Sequence, residues 1–108
     1  MWHNGMQHDR IIETLEDRLR DTNSYGLILS CQNYVTHGIY GECDLMALRG
    51  YYALLFEVKG IDKPKNRKKA YRQLNKDLGW VHDKYGELRT FKFYVYSNKD
   101  TISLEWVK

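Results

Sequence analysis

Residues 53–56 read Ala-Leu-Leu-Phe inside the segment YYALLFEVK, residues 51–59. A nearly continuous apolar run of this length suits a strand covered on both faces rather than one with a wetted side. Such a strand belongs inside a sheet with helices packed against it. The run ends on Glu57 and Lys59, which share a strand face because side chains alternate with period two. The segment that most constrains the fold therefore also carries two charges at one end.

Both helical layers are legible. Residues 9–21 (DRIIETLEDRLRD) offer Asp9 as an N-cap and place Ile11, Ile12, Leu15 and Leu19 on one side at helical spacing. Glu16 borders that stripe and Glu13 points nearly opposite. A second helix is expected to begin near residues 65–67, after the single proline, and to run to about residue 78 or further, with Gly79 and Gly86 as the two ends on offer. Ala70, Tyr71, Leu74, Leu78 and Val81 form its core stripe. Lys65, Lys68, Lys69, Arg72 and Lys76 fall on the other side, and Gln73 lies on the border. Strands are expected at residues 27–35, 40–48, 51–59, 88–97 and 101–107. Turns at residues 37–38, 49–50 and 98–100 separate them. The second and third strands read as a hairpin. The order is α-β-β-β-α-β-β.

The 108 residues make one domain, residues 1–108, with room for a single core. Hydrophobic residues at 43% against 29% charged exclude general disorder. No apolar run approaches the roughly 20 residues that span a bilayer, so no membrane partner is expected. The N-terminal MWHNGMQHDR has no apolar signal core, which argues against secretion. Cys31 and Cys43 both sit in strand-like sequence and read as reduced core thiols. With no paired-cysteine zinc spacing, this fits a cytoplasmic protein.

Charge is unevenly placed. Residues 62–77 hold seven basic and two acidic residues, a local +5, while the rest of the chain carries −2. A concentrated cationic face suits a polyanionic partner. A solvated helix face with no partner explains it equally well.

An acidic residue inside an apolar strand needs a reason, because an unpaired buried charge is costly. Asp44 opens the run DLMAL, and Glu57 closes ALLFEVK. If the second and third strands pair, Asp44 sits near Glu57 at one end of the sheet, with Lys59 beside them. Such hard oxygen ligands suit Mg²⁺ or Mn²⁺. An ordinary cross-strand ion pair with Lys59 is the alternative.

Gly41-Glu42-Cys43-Asp44-Leu45, with twelve residues between Asp44 and the following Glu57-Val58-Lys59, resembles the PD-(D/E)XK nuclease superfamily. The resemblance is to its small stand-alone members of the archaeal Holliday junction resolvase type. Cys43 stands where the nominal pattern has proline. The resemblance implies a restriction-endonuclease-like α/β fold: an α-β-β-β-α-β core, a mixed central sheet flanked by helices, and here one extra C-terminal strand. It implies Asp44 and Glu57 as metal-binding acids, the Val58 carbonyl as a further ligand and Lys59 as the catalytic lysine. Glu16, with Glu13 as fallback, and Gln73 fill the accessory catalytic positions, with Lys69 one turn before Gln73. Lys65, Lys68, Lys69, Arg72 and Lys76 would contact nucleic acid. The implied activity is Mg²⁺-dependent hydrolysis of DNA phosphodiesters, guided by junctions, branches or nicks. A non-catalytic nucleic-acid-binding module on the same fold is the alternative, and a protein with no nucleic-acid role is a third. Two-fold substrates imply a homodimer, with exposed aromatics and the last strand as candidate interfaces. His37 reads as a loop histidine. His3, His8 and His82 have no partners at ligand spacing. Trp80 and Trp106 read as core or dimer contacts.

Overall fold

The computed structural model describes residues 7–108; His3 and most of the N-terminal segment lie outside them. The elements run α1 (His8–Asp21), β1 (Leu27–Thr36), β2 (Ile39–Arg49), β3 (Tyr52–Lys59), α2 (Pro64–Tyr85), β4 (Arg89–Asn98) and β5 (Thr101–Val107). This is an α/β architecture with the element order expected from the sequence. The strands form one mixed sheet in the order β1-β2-β3-β4-β5. Only β3 and β4 are parallel, and α2 makes the crossover between them. The other neighbours are antiparallel.

The hydrophobic run in β3 is covered on both faces. Ile11, Ile12 and Leu15 of α1 pack on Leu45, Phe56, Val58 and Val95. On the opposite face, Leu74, Trp80 and Val81 of α2 pack on Met46, Ala53 and Leu55. Leu45 and Met46 are chain neighbours, as are Leu55 and Phe56, so each strand feeds both layers by simple alternation. Burying a side chain of this size contributes roughly 1.5–3 kcal/mol, so β2 and β3 anchor both helices.

Turn chemistry fixes the two hairpins. His37 and Gly38 have φ of 50° and 74° between the paired Thr36 and Ile39. Two central residues of positive φ match the right-handed twist of the flanking strands. Gly50, at φ 58°, turns β2 into β3.

Several expectations need correction. Helix α1 starts at His8 with its N-cap position on Gln7, so Asp9 lies inside the first turn and is not the cap. Helix α2 takes the later of its two offered ends, running through Gly79 to Tyr85 with Gly86 at its C-cap. A mid-helix glycine costs about 1 kcal/mol, but continuing the helix buries Trp80 and Val81, which outweighs it. Pro64 opens α2, where its missing N–H removes no helical bond. Tyr71 is 36% exposed and sits at the edge of the core stripe. Trp80 is core, whereas Trp106 is 58% exposed on the edge strand. Both cysteines are free thiols, but only Cys43 is in the core and Cys31 is exposed. Among the described residues, no helix is long and apolar enough to cross a membrane.

Candidate functional site

The β2–β3 ladder ends at the pair Leu45↔Phe56. The next residues along the two strands are Asp44 and Glu57, which face each other where the strands separate. The side-chain alternation also breaks there. Cys43 and Met46 enter the same core cluster although three positions apart, and across the sheet Cys31 adopts a left-handed φ of 52°. That local break lets Asp44 turn toward β3. Asp44 Oδ2 accepts the Val58 N–H at 2.8 Å. A buried N–H left without its ladder partner is costly, so the carboxylate closes the gap that the separating strands open.

Asp44 and Glu57 are each only 5% exposed. Lys59 Nζ lies 3.6 Å from Glu57 Oε2, while Glu57 Oε1 is buried with no hydrogen-bond partner. Burial, followed by the charge of Asp44 and then that of Asp77, pushes the Glu57 carboxyl up to about 9; Lys59 acts against this. Burial and the neighbouring acids therefore favour the protonated form of Glu57. His8, in the first turn of α1, places Nε2 at 3.3 Å from Asp44 Oδ2 and Nδ1 at 3.0 Å from Asp9 Oδ1. The hydrogen bond to Asp44 raises the imidazole to about 9, against the opposing effect of burial. The acid pair is thus flanked by two cations, His8 and Lys59. Spacing along the chain gave no hint of His8, because its partner is 36 positions away.

The other expected residues are placed differently. Glu16 is held by Arg20 Nη2 at 2.7 Å, and this bond, with the Ser30 hydroxyl, keeps its carboxyl below the usual range. It is an i,i+4 helix pair facing β1, not a member of the Asp44–Glu57 cluster. Glu13 is exposed. Gln73 Nε2 donates to the Glu42 carbonyl at 2.7 Å and to Asp77 Oδ1 at 2.9 Å, with the Tyr34 hydroxyl 3.3 Å away. It buttresses β2 from α2. Lys65, Lys68, Lys69, Arg72 and Lys76 are exposed and, among the described residues, make no ion pair. Arg67, in the same basic stretch, is bound by Asp62 and Glu105 at 3.0 and 2.7 Å, so its charge is used internally. His37 pairs with Asp83 on α2 at 2.8 Å, and His82 sits 3.3 Å from the Leu88 carbonyl.

Asp77 is the residue that reading the sequence missed. It is fully buried, and the Tyr34 hydroxyl donates to its Oδ1 at 2.6 Å. Burial pushes its carboxyl up to about 6, while Tyr34, Gln73 and the Cys43 thiol act against the rise. Tyr34 lies flat on Trp80, ring centroids 4.7 Å apart, and across Gly41. A Cβ at Gly41 would fall 2.3 Å from the Tyr34 ring, so only glycine fits beside it. The signal was present: Asp77 follows Leu74 by three and precedes Val81 by four, which puts an acid on the apolar stripe.

Scanned against protein-family models, the sequence matches none, and no curated protein matches it. Among the described residues, no group of three or more His, Cys, Asp or Glu side chains is arranged to hold a metal ion. What the structure does bring together is two buried carboxylates, one with an oxygen lacking a partner, beside the Val58 backbone.

Proposed function

We propose that the chain is a Mg²⁺- or Mn²⁺-dependent endonuclease that hydrolyses DNA phosphodiesters at junctions, branches or nicks. One observation carries this reading: Asp44 and Glu57 face each other, buried, where β2 and β3 separate, with Glu57 Oε1 unsatisfied and Lys59 3.6 Å away. Two buried acids with too few donors fit a divalent cation. The element order, with helices on both faces of a mixed sheet and one extra strand, agrees with the restriction-endonuclease-like arrangement that the PD-(D/E)XK resemblance implies.

In this reading Asp44, Glu57 and the Val58 carbonyl hold the ion. When bound, it supplies Lewis-acid polarisation of the phosphate and a lowered pKa for water. Glu57 would serve as a ligand in its deprotonated form. Lys59, 3.6 Å from Glu57, would offset charge that builds on a phosphoryl oxygen. The Asp44–Val58 hydrogen bond fixes the Asp44 carboxylate against the β3 backbone before a ligand arrives. Lys65, Lys68, Lys69, Arg72 and Lys76 hold the DNA backbone, a contact that weakens steeply with salt. A homodimer acting on two-fold substrates is part of the proposal.

The test is a cleavage assay on labelled linear duplex, single-stranded, flap and four-way-junction DNA, with and without Mg²⁺ or Mn²⁺. Glu57→Ala and Lys59→Ala run alongside. Metal-dependent cuts that both variants lose support the enzyme. Salt-sensitive binding without cleavage on any DNA form would move the reading to a binding module. Light scattering that finds only monomer at micromolar concentration would count against junction resolution.

A further inference from the structure

An open pocket of about 520 Å³ lies at the start of α2, lined by Pro64, Lys65, Arg67, Lys68 and Tyr71. Its volume is within the range that holds a small organic ligand. The walls are mainly the Pro64 ring, the Tyr71 ring and lysine stems. Tyr71 is fixed in place: its ring meets Tyr94 edge-on with centroids 6.2 Å apart, and Arg67 Nη1 donates to its hydroxyl at 3.2 Å. Arg67 is itself clamped by both Glu105 oxygens and by Asp62, and it lies 4.8 Å over the Tyr94 ring. The pocket therefore has a preorganised aromatic wall, which lowers the entropy lost on binding.

Charge separates the lining into two parts. Arg67 is neutralised by two carboxylates, whereas Lys65 and Lys68, one turn apart on the same helix face, are exposed and without an ion pair among the described residues. An apolar slot with two free cations at its rim matches a flat aromatic base linked to phosphates. It does not match a cation or a purely aliphatic chain. The position matters as well. Tyr94, which supports Tyr71, is the direct β4 partner of Glu57 in the parallel β3–β4 ladder. The contacts that join the pocket to the acid pair therefore run through Tyr71 and Tyr94 to Glu57. The pocket is also on the segment that leaves β3 just after Lys59.

We infer that this pocket takes an unpaired nucleobase of the DNA strand, with Lys65 and Lys68 on its flanking phosphates. The inference rests on the endonuclease reading and narrows it: the substrate has single-stranded character next to the cut, as in a flap or an open branch. Stacking on Tyr71 supplies affinity for any base, because every base has a flat face.

Binding and cutting are measured separately. Single-stranded oligodeoxynucleotides containing 2-aminopurine are titrated with the protein in EDTA, with matched duplex as comparison. Wild type should quench the fluorophore and bind single strand more tightly than duplex. Tyr71→Leu should lose roughly tenfold in single-strand affinity, Tyr71→Phe should retain it, and Lys65→Glu/Lys68→Glu should weaken binding and flatten its salt dependence. Circular dichroism melts check that each variant is folded. Equal affinity for both DNA forms, or an unchanged Kd in folded Tyr71→Leu, overturns the inference even if wild type cuts DNA. Tyr71-dependent quenching with no metal-dependent cleavage supports the pocket and overturns the nuclease reading instead. Quenching that disappears as light scattering reports a dimer would assign the pocket to self-association and overturn the inference too.

Discussion

Buried acid occurs in two places, Asp77 on α2 and the pair Asp44 and Glu57 on β2 and β3, and the two are treated differently. Asp77 Oδ1 receives hydrogen bonds from Tyr34 and Gln73, although its Oδ2, like Glu57 Oε1, is buried without a partner, and Tyr34 in turn stacks on Trp80 and crosses Gly41. Its carboxyl rises only to about 6. Asp44 and Glu57 share one backbone N–H, a lysine at 3.6 Å and a histidine at 3.3 Å, and Glu57 Oε1 has no partner. The same burial thus produces, in one place, a carboxylate with two donors on one oxygen and, in the other, an acid pair that shares fewer per carboxylate. A buried acid that draws donors from two elements ties those elements together. A buried pair short of donors stores an unfavourable charge that a cation relieves.

The largest effects should separate the two sets by function. Asp44→Asn should lower metal-dependent cleavage by about a hundredfold or more, whereas Tyr34→Phe should leave it within a few-fold in a single-turnover assay. If Tyr34→Phe is as inactive as Asp44→Asn, the division drawn here is wrong. Stability should show the reverse pattern. Trp80→Ala removes the ring on which Tyr34 lies and should cost about 3–5 kcal/mol in urea unfolding. Tyr34→Phe should cost about 1–3 kcal/mol, since it leaves a buried carboxylate with one donor fewer.

The smallest effect sharpens the comparison most. Glu57 binds its proton more tightly when folded than when unfolded. Its contribution therefore becomes steadily less favourable as pH rises from about 4.5 to about 9. Glu57→Gln lacks this titration. It should be more stable than wild type at pH 8 by at least about 1 kcal/mol, roughly 5 °C in Tm, and the gap should close by pH 5. A gap that stays constant with pH would show that Glu57 is already ionised and satisfied in the free protein.

How far the sequence led can be judged from single residues. The apolar run in β3, the turns at Gly38 and Gly50 and the two amphipathic stripes carried the element order, because periodicity and turn chemistry are local. The approach of Asp44 to Glu57 followed from the hairpin register alone. Asp77 was hidden because its residue type suggested solvent while its helical position put it in the core. His8 was hidden because its contact with Asp44 depends on how α1 crosses the sheet, a tertiary angle that no local pattern encodes. Glu16 bordered the right stripe, but the i,i+4 bond to Arg20 holds it. Helix α2 ends at the later of its two glycines because burial of Trp80 and Val81 decided the matter over the propensity of Gly79.

Calorimetric titration of Mn²⁺ at pH 7.5 in two buffers of different ionisation enthalpy tests the central claim most directly. A cation that occupies the Asp44–Glu57 pair must displace the Glu57 proton. One ion should bind with proton release approaching one equivalent, and Asp44→Asn and Glu57→Gln should each abolish the saturable heat. No saturable binding, or binding that is identical in the two variants, would contradict the account.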